Sequence, residues 1–196
     1  VGLQVRTMGG LPLLLKVLSD HSKSPTVAAA AIKALAVAVG DAENRTELIK
    51  PPGAVQLILR VLQSSCAPPA TITISGAGTA SAADVAKWAC YLIAAKDSQD
   101  VHQAVVEHKG VPLFFDAIRA HSDNVDVVVY AMWALEALFA VKPVACVQQI
   151  ASLERFGEFV QVAHHFAAED DDVFLAFWQI LAIICRSDAW RLIGPS

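Results

Sequence analysis

Four apolar segments of the chain open in the same way, with a glycine followed by a stretch that favours a helix. They occupy residues 10–18, 53–61, 110–118 and 157–165. Each glycine suits a left-handed turn between two helices, because it has no Cβ atom. Pro12 and Pro112 fall in a first helical turn, where the missing N–H removes no hydrogen bond. The pattern predicts four helices that each begin at a tight turn.

A longer apolar helix is predicted after each of these segments, and polar residues mark where each one begins. Ser24 precedes the first, and Ser81 with Asp84 three residues later forms a capping box before the second. Residues 123–124 and the acidic run 170–172 mark the other two, because their side chains accept hydrogen bonds from free helix N–H groups. A shorter helix is predicted before each glycine, at residues 1–8, 43–49, 101–108 and 144–153.

Three tryptophans give an independent register for these units. Trp88, Trp133 and Trp178 are separated by 45 residues and then by 45 again, and the first unit has Lys33 at the corresponding place. Trp88 lies 35 residues after its glycine, whereas Trp133 and Trp178 lie 23 and 21 residues after theirs. The excess in the second unit is the stretch 66–80, which has two prolines, two glycines and no charge. We expect a flexible inserted loop there.

The composition limits the class of protein that these helices can form. Hydrophobic residues make up 55% of the 196 residues, charged residues 17%, and the mean hydropathy is +0.48. These values exclude intrinsic disorder. The longest apolar windows, 27–39 and 173–185, fall short of the roughly 20 residues that a membrane span needs. A net charge of −4 argues against a nucleic-acid binder, which needs a basic face.

The cysteines indicate a reducing environment. Cys66, Cys90, Cys146 and Cys185 are far apart, and the chain has no Cys-x-x-Cys motif. Three of the four fall in long apolar helical stretches, where cysteine behaves as a small buried hydrophobe. We therefore expect free thiols and a cytoplasmic location, with cytoskeletal, ciliary or nuclear locations as alternatives.

Each unit thus has a short, a medium and a long helix, and units of this length bury their apolar faces only by stacking. The three-helix unit, its glycine after the first helix and its Ala-rich third helix resemble the armadillo repeat family. The resemblance implies an all-α, right-handed α-solenoid of about four armadillo-like repeats, with HEAT-like repeats as the alternative. The repeats are expected at about 1–42, 43–100, 101–142 and 143–187, with 188–196 as the start of a fifth.

We further expect one solenoid domain over residues 1–196, forming a segment of a longer array and meeting neighbouring repeats or domains of the same chain at both ends. The family resemblance implies a concave groove lined by the third helices. In nuclear-import receptors of the family, that helix carries a Trp-Ala-Leu-x-Asn-type motif, in which the tryptophan holds basic side chains and the asparagine grips the peptide backbone. The tryptophan half of the motif is present here.

The asparagine half is absent from every unit. Its positions hold Val37, Leu92, Ala137 and Ala182, whose side chains cannot form hydrogen bonds. An extended peptide would therefore be left with unsatisfied polar groups. Recognition of a nuclear signal is not expected.

An apolar stripe remains on the third helices, because positions four residues apart share one helix face. Such a surface suits an amphipathic helix, which satisfies its own backbone hydrogen bonds. We expect a non-enzymatic scaffold or adaptor that binds an amphipathic helix or apolar segment of a protein partner and needs no cofactor. The residues expected to bind the partner are Lys33, Asp84, Trp88, Leu92, Val129, Trp133, Glu136, Phe174, Trp178 and Gln179. Tyr91, together with Glu136 and Gln179, is expected to form a polar rim.

Other interpretations of the same pattern stay open. The tryptophans can instead be core residues between adjacent third helices, or can pack against another part of the same chain. The protein can also be a structural subunit of a large cytoskeletal or ciliary assembly, or a regulatory subunit that clamps an enzyme or a chaperone.

The sequence contains no arrangement typical of a catalytic or metal site. His164 and His165 point about 100° apart on a helix, so they cannot easily share one metal ion. Ser75 lacks the leading glycine of a nucleophile elbow. We therefore expect no catalytic, cofactor-binding or metal-binding residues.

Overall fold

The computed structural model describes residues 8–67, 81–95, 98–151, 156–166, 170–187 and 189–192, and all regular structure in these ranges is helical. The helices, numbered in chain order, are α1 Gly10–Asp20, α2 Pro25–Ala38, α3 Ala42–Ile49, α4 Ala54–Ser65, α5 Ala82–Ala94, α6 Gln99–Glu107, α7 Val111–Ala120, α8 Val125–Val141, α9 Pro143–Ala151, α10 Phe156–Phe166 and α11 Asp171–Arg186. A short 3-10 helix follows at Ala189–Leu192. The prediction of an all-α fold is confirmed.

Some sequence predictions fall largely outside the described residues. The predicted helix at 1–8 lies there except for Met8, and so does the predicted loop at 66–80 except for Cys66 and Ala67. Of the predicted fifth unit at 188–196, the structure describes the 3-10 helix at Ala189–Leu192.

The predicted helix starts are observed, and local hydrogen bonds explain three of the four. The Ser81 hydroxyl accepts from the Asp84 N–H at 3.2 Å, and the Asp84 carboxylate accepts from the Ser81 N–H at 2.8 Å, which completes the capping box of α5. Asn124 accepts from a first-turn N–H group of α8, and Asp170 accepts from two in α11. Ser24 stands before α2, but its hydroxyl makes no capping bond.

The left-handed turns are only partly where the glycine pattern predicts them. Gly53 is left-handed, with φ of 85°. Before α1 the left-handed residue is Gly9 and not Gly10, and before α7 it is Lys109, with φ of 55°. Gly110 is needed for a different reason, because a Cβ atom there would lie 2.8 Å from a methyl carbon of Val105 and 2.9 Å from one of Leu59.

The fourth glycine of the pattern also differs from the prediction. Gly157 lies inside α10, one residue after its start, so the turn expected at this position is absent.

The long helices α2, α5, α8 and α11 pack side by side in chain order. Small residues at their contacts allow close approach: Ala28, Ala86, Ala89, Ala131 and Ala134 are each at most 1% exposed. The medium helices α1, α4, α7 and α10 each pack against the long helix that follows them. Burying a large apolar side chain in such a core contributes about 1.5–3 kcal/mol.

The four cysteines are free thiols, as expected. Cys90 and Cys146 are buried, and Cys66 is half-buried, but Cys185 on α11 is exposed. Burial raises the pKa of the Cys146 thiol to about 12 and that of the Cys66 thiol to about 11. These two thiols are therefore protonated, unreactive groups at neutral pH.

Candidate protein-binding surface

The residues that the sequence singles out for partner binding all lie on the four long helices. Lys33 on α2 is exposed, and so are Phe174 and Trp178 on α11, at 46% and 53%. The half-buried ones are Asp84, Trp88, Trp133, Glu136 and Gln179. Leu92 and Val129 are 2% and 9% exposed, so they lie in the core beneath the surface.

A continuous row of aromatic rings joins α5 to α8. Trp88 contacts Tyr91 edge to face at 5.7 Å between ring centroids, Tyr91 contacts Tyr130 at 5.0 Å, and Tyr130 contacts Trp133 at 5.5 Å. We call these four residues the aromatic row. Contacts of this kind contribute about 0.5–1.5 kcal/mol each beyond the burial of apolar area. The row fixes the relative position of two long helices while Tyr91 remains 38% exposed.

Tyr130 is a member of the row that the sequence analysis missed. Its position three residues before Trp133 mirrors that of Tyr91 three residues after Trp88. Residues three apart are neighbours on a helix surface, so this spacing is the pattern from which Tyr130 was predictable.

Two cations lie at the α2 end of the row. The Lys33 ammonium lies 5.0 Å from the centroid of the Trp88 ring, and the Lys87 ammonium lies 5.6 Å from it. Lys87 also pairs with Asp126 of α8 at 2.6 Å, and this hydrogen bond raises the pKa of Lys87. Cations at this distance from a tryptophan ring are attracted to its face. Lys33 therefore extends the surface from α5 onto α2, although α2 itself has no tryptophan.

A cleft of about 480 Å³ lies next to the last ring of the row and is bounded by α8, α11 and the start of α6. Trp133 and Leu175 form apolar parts of its wall, and Glu136 and Asp172 provide carboxylates. Gln179, with its amide nitrogen turned toward α8, donates to the two carboxylate oxygens of Glu136 at 2.6 and 3.0 Å. This bond ties the two long helices together at the edge of the cleft.

Two buried polar groups, one in α6 and one on the residue just before it, form another part of the cleft wall. The His102 Nε2 donates to the carbonyl oxygen of Ile93 at 2.8 Å, and burial lowers the pKa of this imidazole. Ser98 is 4% exposed, and within the described residues its hydroxyl has no hydrogen-bond partner. An imidazole held neutral in this way donates one hydrogen bond without bringing a charge into the core.

The largest exposed apolar cluster on the long helices is at α11. Phe174, Leu175 and Trp178 are 46%, 55% and 53% exposed, and we call them the α11 patch. Trp178 contacts Phe174 at 6.0 Å between ring centroids and the buried Phe177 at 5.7 Å. Leu175 was not predicted from the sequence, because it lies one residue away from the i, i+4 stripe. Exposed apolar clusters of this kind mark interaction surfaces.

The described residues contain neither a cluster of metal-ligand side chains nor a helix that could span a membrane. They contain no group of three or more His, Cys, Asp or Glu side chains placed to hold a metal ion. His164 and His165 are both exposed on α10. In the same part of the chain, every helix is too short or too polar to traverse a bilayer.

Comparison with protein-family models, with curated proteins and with solved structures finds no match. The resemblance to armadillo repeats therefore stays a prediction from the sequence of this chain.

Proposed function

We propose that the chain is an armadillo-like α-solenoid of four three-helix units that acts as a protein-binding scaffold. The packing of α2, α5, α8 and α11 in chain order supports this architecture, since each unit then contributes one long helix to a common surface. A short helix precedes three of the four medium helices, as α3, α6 and α9 precede α4, α7 and α10, and this favours three-helix over two-helix HEAT-like units.

The proposed partner is an amphipathic helix that lies along the aromatic row and the α11 patch. The single observation that carries the proposal is that rings on three successive long helices are at least partly open to solvent, ending in a patch where three large apolar side chains are about half exposed. A helix fits this surface better than an extended peptide, because the side chains at positions such as Val37 and Ala137 cannot form hydrogen bonds with the backbone of a peptide. A helix satisfies its own backbone hydrogen bonds.

The proposed activity is binding alone. Three of the chemistry-bearing groups of the described surface are already engaged in structural contacts: Glu136 with Gln179, Lys87 with Asp126, and His102 with a backbone carbonyl. None of these arrangements places a nucleophile beside a general base.

The experiment is a selection of amphipathic helical peptides on the immobilised protein, followed by affinity measurements on the selected peptides. Trp178→Ala and Leu175→Ala are expected to weaken binding by about tenfold each, because truncating a central apolar anchor typically costs 1–2 kcal/mol or more. Leu13→Ala is the matched control. Leu13 is 61% exposed but lies on α1, so its loss is expected to leave affinity within about twofold.

Two results would refute the proposal. One is a selection that yields no saturable binder, and the other is a set of binders whose affinity responds to Leu13→Ala as strongly as to Leu175→Ala. Circular dichroism of each variant separates loss of the surface from loss of folding.

A further inference from the structure

A second cleft, of about 360 Å³, lies away from the protein-binding surface. It is bounded by the end of α1 and the turn after it, by α4, and by the first turns of α2 and α5. None of the ten residues proposed to bind a protein partner lines it. The described residues that line it are Ser19, Ser22, Lys23, Pro25, Ala28, Leu57, Arg60, Val61, Ser64, Ser65, Ala82 and Val85.

The charge of this lining is entirely positive. Lys23 and Arg60 are both exposed, and no acidic side chain accompanies them among the described lining residues. Neither side chain forms an ion pair or hydrogen bond with any described residue, whereas the side chains of Lys16, Lys50 and Lys87 each pair with a carboxylate. Two unpaired cations on one concave surface repel each other and attract an anion.

Hydroxyl groups supply further donors on the same wall. The Ser22 hydroxyl donates to the Ser19 carbonyl at 3.4 Å, and the Ser64 hydroxyl donates to the Arg60 carbonyl at 2.8 Å. Both hydrogen bonds are exposed to solvent, so each hydroxyl can rotate toward a ligand and leave its carbonyl to water.

The helix directions add to the positive potential. Pro25 and Ala82, the first residues of α2 and α5, line the cleft, so the N-termini of two helices of 14 and 13 residues meet there. The N-terminus of α5 is already capped by Ser81 and the Asp84 carboxylate, so the uncapped positive end is that of α2. Ser24 does not cap α2, which leaves its first turn without a side-chain acceptor from that residue. Each such end carries about half a positive charge.

We propose that this cleft binds a phosphate group, through charge-assisted hydrogen bonds from Lys23 and Arg60 with support from the serine hydroxyls. A phosphate fits better than a carboxylate because its extra oxygen and second negative charge match two separate cations and several donors. The group can be free phosphate or a phosphate ester on a protein segment. The inference stands independently of the protein-binding surface.

The test is isothermal titration calorimetry of the whole chain with two probes: inorganic phosphate, and a capped Gly/Ala pentapeptide with one phosphoserine. The unphosphorylated pentapeptide is the ligand control. Lys23→Gln and Arg60→Gln are each expected to weaken binding by about tenfold, the usual effect of losing one charge-assisted bond. Lys50→Gln removes the same charge from an exposed lysine outside the cleft, and is expected to leave affinity within about twofold.

Each outcome decides the proposal. Saturable binding of either probe that is lost in the two cleft variants and kept in Lys50→Gln supports it. A phosphopeptide affinity well above that of inorganic phosphate identifies an ester as the ligand, and equal affinities identify free phosphate. No saturable binding of either probe, or equal weakening in all three variants, would overturn it. Both cleft residues are exposed, so circular dichroism is expected to show unchanged folding.

Discussion

Trp133 and Trp178 occupy equivalent places on α8 and α11, yet their surroundings differ. Trp133 is half-buried at the end of the aromatic row, where it also lines the cleft, whereas Trp178 is 53% exposed. The reason lies in the neighbours: α8 has a long helix on both sides, and α11 packs against only one in the described part of the chain. The same residue type, 45 residues further along the chain, therefore packs against neighbouring rings on one long helix and lies on an open surface on the other.

The strongest way to sharpen this comparison is to truncate one leucine on each helix. Leu135 of α8 is fully buried, and Leu135→Ala is expected to lower the free energy of unfolding by about 2–5 kcal/mol. Leu175 of α11 is 55% exposed, and Leu175→Ala is expected to change it by less than about 0.5 kcal/mol. Urea denaturation followed by circular dichroism measures both. Comparable losses would mean that α11 is covered as completely as α8.

Truncating the two tryptophans is expected to give a smaller difference in unfolding free energy, again with the larger loss on α8. Trp133→Ala is expected to cost about 2 kcal/mol, since it removes a half-buried ring that contacts Tyr130. Trp178→Ala is expected to cost less than about 1 kcal/mol, because half of its ring is already in water. Thermal and urea unfolding of the two variants provide the check. An equal cost for both would remove the distinction between a stabilising and an open tryptophan.

These contrasts also show what could be read from the sequence. The helix starts at Ser81 and Asp170 were predictable because their caps are local, within three residues of chain. The turn at Lys109 was not, because Gly110 is required by its contact with Leu59, 51 residues away. The burial of Leu92 and Val129 could not be predicted from the sequence for a related reason. Periodicity indicates which residues share a helix face, but the packing of a neighbouring helix decides how far that face is covered.

The buried His102 is expected to make the stability of the fold depend on pH. Its folded pKa is below the 6.5 of the unfolded chain, chiefly because burial disfavours the imidazolium. The unfolded state then binds more protons as the pH falls through about 6.5, so stability is lost on acidification until the folded pKa is passed. Chemical denaturation is expected to give a lower free energy of unfolding at pH 5 than at pH 7.5, and His102→Gln is expected to reduce this drop. His164 is exposed, and His164→Gln is expected to leave the drop unchanged.

The smallest predicted effect concerns the ion pair between α5 and α8. Lys87 and Asp126 are 2.6 Å apart, with Asp126 more than half exposed. A double-mutant cycle with Lys87→Gln and Asp126→Asn is expected to give a coupling of about 0.5 kcal/mol, because solvent screens such pairs. The coupling should fall further in 1 M salt. A coupling that is large and insensitive to salt would contradict the exposed position of this pair.

The most direct test of the proposed binding surface is hydrogen–deuterium exchange of the chain with and without a selected amphipathic helical peptide. The account predicts slower exchange in α5, α8 and α11, with α11 changing most because its patch is the most open. It predicts little change in α1, α4 and α7, because these helices contribute no residue to the aromatic row or to the α11 patch. Protection confined to α1, α4 and α7, with α11 unchanged, would contradict the assignment of the long-helix surface as the binding site.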